Sequence, residues 1–222
     1  MNDPKSTIKE ILFCFEQGKP TPNYQSVYIY NDGPSDCKQV TYSFGITEYG
    51  NLSSLIQKYI TAGGIYSKQF LPYVNEIGKK PLASDTQFQN YLKLAGVDPI
   101  MHQCLDNAFD SMYYIPAETF FNKNGFTLPL SMAVIADSYL QSGSILCSLR
   151  NAFNEKIPAS GGNEKNWISE YLTVRQNWLA TSSRTILHAT VYRTEFFLNQ
   201  IKIGNWNLDQ FPIFPNGVKL IA

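Results

Sequence analysis

Four consecutive stretches near the start decide how this chain is read. They are Lys5-Ser-Thr-Ile-Lys-Glu-Ile-Leu-Phe-Cys-Phe-Glu16, Gln25-Ser-Val-Tyr-Ile-Tyr30, Asn31-Asp-Gly-Pro-Ser-Asp36 and Gln39-Val-Thr-Tyr-Ser-Phe44. In the first, Ile8, Ile11, Leu12 and Phe15 recur at helical spacing, which predicts an amphipathic helix over residues 5–17. Gly18 and the Pro20-Thr-Pro22 stretch end it. Glu16 falls in its last turn, at the flank of the apolar stripe. The carbonyl end of a helix carries partial negative charge, so a purely structural carboxylate is poorly placed there. The second and fourth stretches alternate and are β-rich, and the third is a Gly-Pro turn between them. Together they predict a hairpin closed by Gly45.

Beyond the hairpin the chain reads as helix. Segments are expected at 52–61, 67–77, 85–95, 99–112, 129–141, 164–180 and 185–202, with breaks at Gly63-Gly64, Ile157 to Asn163 and Gly204. Residues 129–141 are almost wholly apolar, as a central helix should be, and Asp137 stands alone inside them. A first helix, a small hairpin and then many helices give an α+β class, mainly helical, with two lobes and the sheet flanking a cleft. One catalytic domain is expected over 1–222, and a cleft of that kind suits a polymer.

Composition narrows the function. The chain has 222 residues, 44% apolar and 14% aromatic, with 18 basic residues against 18 acidic. That length buries roughly 70% of the unfolded surface without a disulfide or metal. Zero net charge argues against a nucleic-acid partner, which would meet a basic excess. No apolar run reaches the roughly 20 residues of a membrane span. Cys14, Cys37, Cys104 and Cys147 are far apart and form no CxxC, so neither a metal nor a cofactor is expected. Free thiols are the better reading, with a Cys14–Cys37 bridge left open. His102 and His188 lack a neighbouring nucleophile motif, and His188 is expected to pack or to cap a helix.

Carboxylates are therefore the expected catalysts. A glycosidase needs one protonated acid and one ionised base across the scissile bond. Glu16 is one candidate, and the hairpin offers Asp32 and Asp36, with Glu48 just beyond. On pattern alone, Asp in a tight turn more often bonds its own backbone.

The first half resembles the lysozyme superfamily, where a Glu ending the first helix precedes an Asp and a Thr on a hairpin. It is similar, more closely, to the chitosanases of glycoside hydrolase family 46. The residues carrying the resemblance are Tyr28-x-Tyr30-x-Asp32-x-x-x-Asp36-x-Lys38 with Thr41 and Gly45, then Gly50 to Tyr59. Ala133 to Ser138, Trp167 to Arg175 and Gly204 to Leu208 follow in family order. The resemblance implies Glu16 as general acid, Asp36 as general base and Thr41 as holder of the attacking water, with inversion at the sugar. It also implies a charged network of Asp137, Arg175 and Arg193 behind the acid.

Tyr28, Tyr30, Lys38, Tyr42 and Asn51 are the expected substrate-binding residues, and Tyr49 is a further aromatic near them. Chitosanases typically place an Asp where Asn51 stands, and an Arg where Lys38 stands. An uncharged amide suits an N-acetylated sugar, so the expected substrate is peptidoglycan ahead of chitosan. The start lacks a cleavable signal pattern, which fits a cell-wall enzyme secreted or delivered without one, with a delivery or immunity protein as partner. A monomer is expected. The competing readings are a non-catalytic glycan-binding domain and a lytic transglycosylase, which would need Glu16 but no base.

Overall fold

The computed structural model describes residues 3–222. The chain divides into two compact units, Pro22–Asp110 and the pair Met1–Thr21 with Ser111–Ala222.

The discontinuous unit is helical. Its first element, α1 (Pro4–Gln17), starts on an Asp3 cap whose side chain accepts from Lys5 N–H at 3.2 Å. It stops at Gly18, whose left-handed φ of 64° no β-carbon-bearing residue adopts as easily. Ile8, Ile11, Leu12 and Phe15 are buried, each worth roughly 1.5–3 kcal/mol on leaving water. The remaining helices of this unit are α6 (Ile115–Lys123), α7 (Pro129–Ser142), α8 (Cys147–Arg150), α9 (Glu164–Thr181) and α10 (Tyr192–Lys202). Every residue from Leu130 to Ser138 is buried, and α7 touches α1, α6, α9 and α10. It is the central helix that its apolar sequence predicts.

The continuous unit holds the sheet. Strands β1 (Val27–Tyr30), β2 (Gln39–Tyr42) and β3 (Ile46–Thr47) pair antiparallel in the order β1-β2-β3. Helices α2 (Leu52–Thr61), α3 (Ser67–Phe70), α4 (Thr86–Ala95) and α5 (Pro99–Phe109) complete it. The β1–β2 register sets Tyr28 opposite Thr41 and Tyr30 opposite Gln39. Directly opposed residues share a face, so Tyr28, Tyr30, Gln39 and Thr41 lie on one side and Val40 and Tyr42 on the other.

Several expectations need correction. The segment 67–77 is the short α3 and a 3-10 turn, Leu71–Tyr73, rather than one helix. The stretch 185–202 is a 3-10 turn, Thr185–Thr190, followed by α10 rather than one helix. Helix α6 forms where none is expected, because Pro116 sits in its first turn, where a missing N–H costs no intrahelical bond. The hairpin gains a third strand, β3, of two residues. All four cysteines are free thiols, so Cys14 and Cys37 are not bridged. His188 caps, as one reading of it had: its Nε2 lies 2.8 Å from the carbonyl of Ser182, the C-cap of α9.

Candidate active site

Glu16 ends its helix among charges. Arg193, in the first turn of α10, contacts the Glu16 carboxylate through Nη2 and donates to Asp137 Oδ1 through Nη1 at 2.8 Å. Asp137 Oδ2 lies 2.7 Å from Arg175 Nη2. Asp137 and Arg175 are sealed from solvent and Arg193 nearly so, whereas the Glu16 side chain stays 28% accessible. Burial alone would push the Arg193 guanidinium down, but the Asp137 and Glu16 carboxylates outweigh it and hold the charged form. Arg175 also donates to Gln141 Oε1 at 2.5 Å. The expected group of Glu16, Asp137, Arg175 and Arg193 is thus brought together within one unit, with three charges buried behind one solvent-reaching carboxylate.

The other expected site residues belong to the sheet-bearing unit. Asp36 is exposed in the β1–β2 turn. Ser35 and Asp36 are both left-handed, with φ of 56° and 58°. Such conformations cost about 1–2 kcal/mol each for non-glycine residues, so the turn must be held by its surroundings. Gly33 N–H donates to Cys37 O at 3.0 Å, and Gln39 Nε2 donates to Asp32 Oδ1 at 2.9 Å. Gly33 leaves no room for a larger residue, since a β-carbon there would stand 2.7 Å from Cys37 Sγ.

The three hairpin carboxylates separate by role. Asp32 accepts from Gln39. Glu48 is fully buried, and accepts from Val40 N–H at 2.9 Å and Leu82 N–H at 2.7 Å. Both are structural. Asp36 makes no hydrogen bond or ion pair among the described residues. Thr41 is buried, and its Oγ1 has no hydrogen-bond partner among the described residues.

Tyr28 and Tyr30 are 46% and 50% exposed, with ring centroids 5.9 Å apart in a stacked pair. Tyr42, expected to stack on sugar beside them, points to the core face and is fully buried. It presents no open ring face. Lys38 and Asn51 are exposed, and Asn51 occupies the cap position of α2 without making a side-chain cap bond.

Two contacts with the end of α1 have no local signal in the sequence. Tyr192 Oη donates to Phe15 O at 2.7 Å and Asn216 Nδ2 to Cys14 O at 3.1 Å. Their partners lie 177 and 202 residues away.

A mainly helical chain with a small three-stranded antiparallel sheet has the lysozyme-like fold. The sequence model of glycosyl hydrolase family 46 matches residues 14–213, and the chain belongs to that family. A chitosanase of Bacillus subtilis (strain 168) is 24% identical over 225 residues, spanning 93% of this chain and 80% of that protein. The crystal structure of native chitosanase from Bacillus subtilis MY002 shares the fold, with a TM-score of 0.81 at 22% identity over 99% of each chain. A family 46 chitosanase of Gynuella sunshinyii in complex with chitotetraose gives 0.80 at 20% identity, over 100% of this chain and 99% of that one. The chain is a glycoside hydrolase of the chitosanase type.

Proposed function

We propose that this chain is an endo-acting hydrolase of β-1,4-linked amino-sugar polysaccharides, with Glu16 as general acid and Asp36 as general base. The observation that carries the reading is the Arg193–Asp137–Arg175 cluster, buried behind a carboxylate that remains open to solvent. A buried charged cluster costs desolvation, and orienting one reactive group is a use that offsets it. Asp36 is supported by elimination, because Asp32 and Glu48 are committed to the hairpin.

In the proposed reaction Glu16 gives its proton to the glycosidic oxygen as the bond to the anomeric carbon breaks. Asp36 takes a proton from a water whose oxygen forms the new bond on the opposite face. Thr41 Oγ1, unpartnered and on the hairpin face that carries Tyr28 and Tyr30, orients that water. The product is inverted, which requires the carboxyls to stand roughly 6.5–9.5 Å apart. Tyr28 and Tyr30 offer an exposed aromatic surface for sugar rings, and Lys38 and Asn51 supply polar contacts.

The first substrate is chitosan, on the strength of the chitosanases that the chain resembles over nearly its whole length. A second reading, peptidoglycan, is favoured by the exposed neutral amide of Asn51, which can both donate to and accept from an acetamido group. The test is digestion of chitosan and purified peptidoglycan side by side, with the products weighed by mass spectrometry. Glu16→Gln and Asp36→Asn should each lower turnover at least about a thousandfold without unfolding the protein. Parent-like turnover in either variant removes that residue from the mechanism. Anhydro-muramyl products with Asp36→Asn still active would instead mean a lytic transglycosylase.

A further inference from the structure

The last turn of α1 is gripped by two side chains for which the acid–base reading has no use. A helix leaves its final four carbonyls without partners inside it. In α1 the carbonyls of Cys14 and Phe15 are among these, two residues and one residue before Glu16. Phe15 O accepts from Tyr192 Oη at 2.7 Å. Cys14 O accepts from Asn216 Nδ2 at 3.1 Å, and from Gly18 N–H at 3.0 Å.

Both donors are placed for this by their own surroundings. Tyr192 stands immediately before Arg193, so one turn of α10 holds the backbone of the α1 end and the Glu16 carboxylate together. The Tyr192 ring also packs edge-on against Phe15, with centroids 5.7 Å apart. Asn216 sits in the 3-10 turn Pro215–Gly217 with a left-handed φ of 50°, a conformation asparagine tolerates better than most residues. Tyr192 and Asn216 line a cavity of about 470 Å³ between α10 and the C-terminal segment. Asn216 lies beyond residue 213, where the match to the family model ends.

We infer that Tyr192 and Asn216 are positioning residues for Glu16. By binding the two carbonyls that precede it, they hold the final turn of α1 against fraying, so that the carboxyl keeps the orientation Arg193 gives it. The inference rests on Glu16 being the general acid. A proton donor displaced by about 1 Å can lose a hundredfold in rate, so a loosened turn should slow the chemical step more than it weakens binding.

Two variants remove the bonds. Tyr192→Phe keeps the ring against Phe15 and removes the hydroxyl, and with it both the bond to Phe15 O and the contact with Arg193. Asn216→Gly removes the whole side chain, and its donor with it, while still permitting the left-handed backbone. Kinetics on chitosan and on peptidoglycan, whichever the parent enzyme hydrolyses, are measured well below each variant's melting temperature, beside Glu16→Gln. The expected result is a fall in kcat of about tenfold for each variant, a larger fall for the double variant, and an unchanged KM. A lowered melting temperature with kcat per folded molecule unchanged, while Glu16→Gln is inactive, overturns the inference and leaves the acid assignment standing. An active Glu16→Gln overturns the acid assignment itself, and the inference with it.

Discussion

Asp137 and Arg193 meet at 2.8 Å, both buried, and that pair joins the central helix α7 to the carboxylate that ends α1. Asp137 faces two guanidiniums, since Arg175 approaches its other oxygen.

Removing one member of a buried ionic group leaves the rest uncompensated. Asp137→Asn is therefore expected to destabilise the protein by about 3–5 kcal/mol. Urea denaturation of the variant beside the parent measures this. A loss below about 1 kcal/mol, the range of an exposed pair, would show that the cluster is not the sealed network described above.

The left-handed pair Ser35 and Asp36 makes the β1–β2 turn a place where glycine chemistry matters. Ser35→Gly is expected to raise stability by about 1 kcal/mol, because glycine escapes the β-carbon penalty at φ of 56°. Gly33→Ala should do the reverse, since its new methyl would press on Cys37 Sγ and Cys37 O at 2.7 and 2.9 Å. Thermal melts of the two variants test the pair. Opposite signs are required, and a stabilised Gly33→Ala would contradict the packing.

Asp98 gives the sheet-bearing unit an acid limit. Burial alone would raise its pKa, but bonds from Tyr59 Oη at 2.6 Å, Ile65 N–H at 2.8 Å and Ile100 N–H at 2.9 Å, together with nearby His102, hold it below the ordinary range. The unfolded chain then binds the proton more readily than the folded one. The resulting stabilisation is complete above the ordinary carboxylate pKa of about 4, and is lost as pH falls through the lower folded value. Asp98→Asn is expected to be less stable at pH 7 and to lose less on acidification. Urea midpoints at about pH 7 and about pH 3 check this, and an unchanged acid dependence would refute it.

The thiols should separate by burial. Burial, with Glu10 adding to it, pushes the Cys14 thiol up to about 11, while Cys147 is exposed. The thiolate is the reactive form, so alkylation of the folded protein at about pH 8 should mark Cys147 and spare Cys14 until denaturant is added. Peptide mapping reads the order, and early labelling of Cys14 would mean that α1 detaches easily.

Local pattern made much of this architecture legible. The spacing of Ile8, Ile11, Leu12 and Phe15 marks α1, the apolar run around Asp137 marks α7, and alternation marks β1 and β2. The charged cluster was readable through the family resemblance, with Asp137 and Arg175 falling in its ordered blocks. Other features were not readable, for physical reasons. Strand β3 is too short to show a period. Pro116 looks like a breaker until its place in a first turn is known. Asp32, Asp36 and Glu48 are alike in sequence, and only their donors tell them apart. Tyr42 differs from Tyr28 and Tyr30 by which face its strand position turns to the core. Tyr192 and Asn216 act on backbone carbonyls far away in the chain, and a carbonyl leaves no mark in a sequence.

The helical unit is assembled from both ends of the polypeptide, with Pro22–Asp110 inserted between. Glu16 and Arg193 are separated by 177 residues. At a ribosomal pace of about 5–20 residues per second, roughly ten seconds or more pass between the synthesis of these two partners. Until α7, which packs on it, has been made, α1 has emerged without its partner, while the inserted segment already carries every contact of its own unit. Maturation therefore runs inside out along the message: the middle can settle first, and the opening helix waits for helices made after it.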